Sequence, residues 1–261
     1  MSRHSALFAL LLCMVLIMSC APVRPILVGE QVSQSVAREL MRDWSVRSGR
    51  VSSVQGLAKV KVHTPENSLN GTQVILAEKP DRLRAETLSL FGSPLLLLAA
   101  DGDALGVLLP SQNLYYTGAA TPENLGRFVR IPLRLADLIS VLLYQPPMIN
   151  ARSEEAFELR DGGWLLVRHG SPHRQELIFN PLRQLVEVSY FNRDNLFLKI
   201  TFGNFAEAGD RFPHLFDIEI PEQKTRASLE FSDPVINGEL RPGIFQLPPP
   251  AGVTIISLDD V

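Results

Sequence analysis

From Val51 onward, polar and apolar positions alternate with a period of two. In Val54-Gln-Gly-Leu-Ala58-Lys-Val60-Lys-Val62 the even positions are apolar or small, and Gln55, Lys59, Lys61 and His63 fall on the other face. The same alternation runs through Val186/Val188/Tyr190, Phe216/Ile218/Ile220 and Ala227/Leu229/Phe231. A strand points successive side chains to opposite faces, so this pattern predicts antiparallel strands with one face buried and one wet. Turn residues punctuate the runs at Asn70-Gly71, Lys79-Pro80-Asp81, Asp101-Gly102, Asp161-Gly162-Gly163, Asn180-Pro181 and Asn192 to Asn195. They divide the region into roughly eleven strands joined as hairpins.

Helical spacing is confined to two places. Glu30 to Arg47 carries Val32, Val36, Leu40 and Trp44 at intervals of four, which predicts one amphipathic helix ahead of the sheet. Pro122 to Tyr144 reads as a second helical region, with Pro122 in the first turn and Pro132 dividing it into two pieces. A large antiparallel sheet has an apolar face that must be covered. The fold class is therefore mainly β (α+β), a curved antiparallel half-barrel with an α-helical lid. Two packings satisfy the pattern: lid and sheet flush against each other, or an apolar cavity between them.

The start of the chain is of a different kind. Arg3 and His4 precede an unbroken apolar run from Ala6 to Met18, followed by Ser19-Cys20. That run suits the apolar region of a secretory leader and is short of the ~20 residues that span a bilayer. Its ending resembles the lipobox of bacterial lipoproteins, which implies cleavage after residue 19 and lipidation of Cys20. Residues 20–29 then form a tether and 30–261 a single domain. The remaining cysteine, Cys13, lies inside the leader, so the mature chain has no disulfide framework. Two or more acyl chains give stable anchoring where one does not. The longest later apolar run, Pro94 to Ala100, is strand-sized. A net charge of −3 without a basic block argues against nucleic acid as a partner.

Motifs that could carry chemistry fail on spacing. His169 and His173 flank Gly170 and Pro172, which forbid a helix presenting both rings on one face. Asp101-Gly-Asp103 lacks the rest of a calcium loop. No serine sits in a nucleophile elbow. Glu154-Glu155 and Asp259-Asp260 point apart in extended chain. The expectation is a protein with no catalytic residues, no metal and no cofactor.

Between Val54 and Pro147 the chain resembles the LolB outer-membrane lipoprotein receptor and its periplasmic relative LolA. The match is carried by Gly56, Ala58 and Val62 in a first strand and by Thr72–Glu78 in a second. Asp81–Arg84, Leu88–Ser93, Asp101-Gly102 and Tyr116 follow in order, and then Ile131 to Pro146. The later strands match in pattern only, with an added hairpin around Phe157–Val167 and a LolA-like ending at Phe245–Val253. The resemblance implies a half-barrel whose cavity takes acyl chains, outer-membrane localisation facing the periplasm, and reception of lipoproteins from a LolA-like carrier. It places an apolar membrane-insertion loop at Leu90, Phe91, Gly92, Pro94 and Leu95. Such a sequence is unusual for a hairpin tip, because tips are mostly polar, and Phe91 either projects or folds inward.

On this reading the lid comes from Leu133, Leu135, Leu138, Ile139 and Leu142. The cavity wall comes from Val60, Val62, Leu76, Leu83 and Ala85, with Val186, Val188, Leu198 and Ile200 from later strands. The chain is expected to act as a monomer bound to the membrane through its anchor. The competing reading is a non-catalytic envelope scaffold or assembly lipoprotein that uses the sheet as a protein-interaction surface.

Overall fold

The computed structural model describes residues 28–205 and 212–260. The leader, Cys20 and most of the tether lie outside the described residues. One sheet of sixteen strands dominates, and it is built as two meanders. The first comprises β2 (Ser53–His63), β3 (Ser68–Glu78), β4 (Arg82–Leu88), β5 (Pro94–Asp101), β6 (Ala104–Leu109) and β7 (Leu114–Ala119). The second comprises β8 (Ser153–Leu159), β9 (Trp164–His169), β10 (His173–Phe179), β11 (Leu185–Asn192), β12 (Asn195–Phe205), β13 (Pro213–Ile220) and β14 (Thr225–Phe231). They join where β14 pairs antiparallel with β2, Ala227 opposite Val62 and Phe231 opposite Ala58. Short strands complete the sheet: β1 (Val28–Val32) on β8, β15 (Val235–Ile236) on β2, and β16 (Thr254–Ser257) parallel to β7. The sheet does not close on itself: β1 and β16 are its two ends.

Among the described residues, three α-helices accompany the sheet: α1 (Gln34–Ser48), α2 (Pro122–Val129) and α3 (Leu135–Leu142). The last two form the chain connection between the meanders, running from β7 to β8. They lie across the inward face, where Leu125, Ile131, Leu135, Leu138, Ile139 and Leu142 join one continuous core with the inward residues of both meanders. The lid is thus the crossover connection itself. Thr121 starts it, its hydroxyl accepting from Asn124 N–H at 3.1 Å ahead of Pro122. Pro132 falls between α2 and α3, as expected of a residue that cannot supply a helical N–H.

The architecture expected from periodicity is present, with more strands than the eleven expected. Pro94 to Asp101 forms β5, and β1, β15 and β16 are too short to show alternation. Five of the six expected turns occur. Asn70-Gly71 instead lies inside β3, and the turn falls at residues 64–67, where Thr64 and Asn67 bond to each other. The first helix starts at Gln34 rather than Glu30, because Val28–Val32 pairs with β8; Val28 and Gly29 therefore belong to the sheet, not the tether.

After β14 the chain crosses the outer face of the first meander as a strap. Arg84 Nη1 donates to Ile244 O at 2.8 Å and Tyr115 OH donates to Leu247 O at 2.6 Å. Phe245 is buried, and so are Leu76 and Ala99, which share the outward rung of Arg84. Gly106 makes room for this crossing: a Cβ there would stand 2.6 Å from the Tyr115 hydroxyl and 3.3 Å from Leu247 O. At the end of the strap, Asp259 Oδ1 accepts from Ala119 N–H and Asn124 Nδ2, tying the last residues to the start of the lid.

Candidate lipid-binding cavity

An apolar cavity of about 90 Å³ lies between the lid and the sheet. Its wall is contributed by facing rungs of six strands: Phe216 and Ile218, Ala227 and Leu229, Val60 and Val62, Leu69 and Ile75, Leu83 and Ala85, Leu96 and Leu98. Phe128, Val129, Ile131, Leu138 and Leu142 form the roof. Flush packing is therefore not what the chain adopts. A cavity of ~150 Å³ holds one benzene. The cavity, partly open to solvent, has at about 90 Å³ less room than that, so burying a whole acyl chain requires lid and sheet to separate further.

The lid is unevenly held. Its C-terminal side is anchored by buried polar groups. Tyr144 OH donates to Leu185 O at 3.0 Å, Tyr190 OH to Pro147 O at 2.8 Å, and Gln145 Nε2 to Val51 O at 2.9 Å. Burial pushes the Tyr144 and Tyr190 phenols well above the ordinary tyrosine range, outweighing the hydrogen bonds that lower them. The middle of the lid, residues 129–134, has Arg130 at φ 63° and one tight turn from Leu133 N–H to Ile131 O. This segment lies beside the cavity, with Val129 and Ile131 in its lining and Arg130 N–H bonded to Gly126 O.

The β4–β5 hairpin carries the second feature. Its tip is shaped by Ser89: Ser89 N–H donates to Ser93 O, and Ser89 Oγ accepts from the N–H groups of Phe91 and Ser93. Gly92 takes φ 79°, a left-handed conformation in which other residues are strained. This tight loop leaves Leu90 fully exposed, Phe91 96% exposed, and Leu95 about half exposed. Phe91 projects; it does not cap the core. Exposed apolar side chains side by side at a loop tip are what a membrane or a partner would cover.

The structure sorts the expected cavity residues. Val60, Val62, Leu83, Ala85, Leu138 and Leu142 line the cavity. Leu135 and Ile139 are buried in the core outside its lining, and Leu133 packs against that core between α2 and α3. Val188, Leu198 and Ile200 are buried in the second meander, away from the cavity. Val186 is displaced by a bulge: the register of β10 and β11 slips there, and Leu185 fills the inward position opposite Phe179. Leu76 is on the outer face beneath the strap, one residue out of phase with Ile75. Phe216, Ile218, Ala227 and Leu229 were visible as alternating strand positions. Nothing in one strand tells which rungs of a wide sheet lie beneath the lid.

A covered half-barrel with an apolar cavity and a projecting apolar hairpin defines the class of molecule. No protein-family model matches the chain, and no curated protein matches it. Solved structures do. A DUF1329 family protein from Desulfovibrio piger superimposes with a TM-score of 0.51 at 12% identity, covering 81% of this chain and 96% of its own. A LolA superfamily protein from Nitrosomonas europaea gives 0.49 at 14% identity, with 81% and 97% covered. A domain from Vibrio parahaemolyticus assigned to outer-membrane lipoprotein sorting gives 0.48 at 12%, with 80% and 95% covered. The likeness to the Desulfovibrio piger protein is one of fold: a curved antiparallel sheet with helices across its inner face.

Proposed function

We propose that this chain is an envelope lipoprotein, anchored through Cys20 in the outer membrane, that takes acyl chains beneath its lid and passes them to the bilayer. The observation that carries the reading is the apolar cavity roofed by a two-helix crossover. Burial of an acyl chain there gains ~25 cal/mol per Å² of apolar surface, but the lid contacts must first be broken. Because the cavity is too small for a whole chain, occupancy stores part of the binding energy as separation of lid from sheet. A bilayer imposes no such cost, so transfer runs from protein to membrane.

The leader and cysteine of the sequence support tethering, and the exposed Leu90 and Phe91 support contact with the acyl region beside the tether. The resemblance to LolB supports lipoproteins as cargo and a LolA-like periplasmic carrier as donor.

The test is native mass spectrometry and lipid extraction of the purified protein, with titration of a fluorescent acyl probe. Saturable binding that is reduced at least tenfold by Leu138→Glu, in the cavity roof, is the expected result. An empty protein that ignores the probe would sink the reading. It would leave the scaffold alternative, with the projecting hairpin as a protein contact.

A further inference from the structure

The cavity wall is apolar except for Ser228, which is out of phase with the inward Ala227 and Leu229 on β14, and a polar pair on one inward rung. Gln73 and Thr87 face each other across β3 and β4, and both line the cavity. Gln73 Nε2 donates to Thr87 Oγ1 at 3.1 Å. That bond uses one amide hydrogen and one lone pair of the hydroxyl. The Gln73 carbonyl oxygen, its second amide hydrogen and the Thr87 hydroxyl hydrogen have no partner in any other described side chain or backbone group. An apolar pair would fill this rung without the cost of desolvating polar groups.

The position of the pair is informative. Along the inward face of β3, β4 and β5, burial declines rung by rung toward the exposed hairpin. Ala77, Leu83 and Ala100 are nearly inaccessible, and so are Ile75, Ala85 and Leu98 on the next rung. Gln73, Thr87 and Leu96 are half-buried. One rung further on is Gly71, where a Cβ would meet only the Thr87 methyl, at 3.7 Å. The wall is thus apolar at depth, polar at the Gln73–Thr87 rung, and open beyond it, two residues before Ser89 and the Leu90–Phe91 tip.

From this we infer that Gln73 and Thr87 form a subsite for the carbonyl linkages, ester or amide, by which acyl chains are attached to their carrier. The ligand class is therefore a carbonyl-linked acyl lipid rather than a bare hydrocarbon or an ether lipid. A chain buried at depth places its first carbonyl at this rung. The Thr87 hydroxyl and the second Gln73 amide hydrogen then donate to its oxygen, and the Gln73 carbonyl can accept from an amide N–H. The inference rests on the acyl-cavity reading above.

Two probes separate them. The full chain, purified from membranes in detergent, is photo-cross-linked with a diester phosphatidylethanolamine bearing a diazirine in one chain. The diether analogue, identical but for its two carbonyls, is used in parallel. Labelling is read by intact mass. The diester should label wild type roughly 5–10-fold more strongly, about the effect of one net hydrogen bond. Gln73→Leu and Thr87→Val should bring that ratio to about one while diether labelling persists, which also reports that the variants fold. Thr87→Ser, which keeps the hydroxyl, should retain the preference. Equal labelling of wild type by both probes, or a preference untouched by either substitution, overturns the subsite and leaves the cavity. Labelling by neither probe overturns both.

Discussion

Tyr144 and Tyr190 show how a single buried group sets a limit on the whole protein. Each phenol sits in the core and donates to a backbone carbonyl, Leu185 O or Pro147 O, and Tyr190 also lies against the Gln175 side chain. Burial favours the neutral form, so each pKa lies above its unfolded value of ~10. Above that pH the unfolded chain releases protons that the folded chain keeps. Stability that is complete below pH ~10 is therefore lost as pH rises. Each tyrosine adds a slope of up to about 1.4 kcal/mol per pH unit. Chemical denaturation between pH 8 and 11 should show this loss, and Tyr144→Phe should flatten it while costing about 1 kcal/mol at neutral pH. The tyrosines could be named from the sequence but their partners could not: Leu185 becomes inward only because a bulge shifts β11 against β10. Alternation alone points to Val186, because it carries no sign of a slip.

Among the elements, the strands most legible in sequence were those with one wet face. β2, β13 and β14 alternate cleanly, and their inward residues are the ones now packed under the lid or in the core. Residues covered on both faces were harder to place. β5 is apolar along most of its length: Leu98 and Ala100 face the core, and Ala99 is buried on the outer side. The strap has no period at all, because backbone and ring contacts hold it, so it was legible only through the ending at Phe245–Val253. Its energetic weight is nonetheless large. Phe245 is the buried aromatic of the segment, and Phe245→Ala should cost about 3–5 kcal/mol in thermal or denaturant unfolding. The cavity should be spared, because the strap lies on the opposite face of the sheet.

For the molecule as a whole, the cavity is a defect that function would explain. Close packing is the rule in protein interiors, and filling a void usually adds stability. Ala85 lines the cavity and has space on its inward side. Ala85→Val should leave stability within about 1 kcal/mol of wild type or raise it, while reducing acyl-probe binding several-fold. A variant that gains stability without losing binding would show that the void plays no part in ligand uptake. The sequence could supply lid and sheet but not the gap between them, since the placement of the helices over the sheet decides between flush packing and a cavity.

The pairing of β14 with β2 has a consequence for how the protein comes into being. Phe231 meets Ala58 only after nearly the whole chain has been made, and β16 reaches β7 later still. Contacts so far apart in sequence fold slowly, because loop closure precedes any compensating burial. Synthesis proceeds from the N-terminus, so the first meander is complete while both of its edge strands still expose unpaired backbone. Nascent chains of this topology are candidates for edge-to-edge aggregation. Their yield should depend on holding factors far more than the stability of the finished fold would suggest.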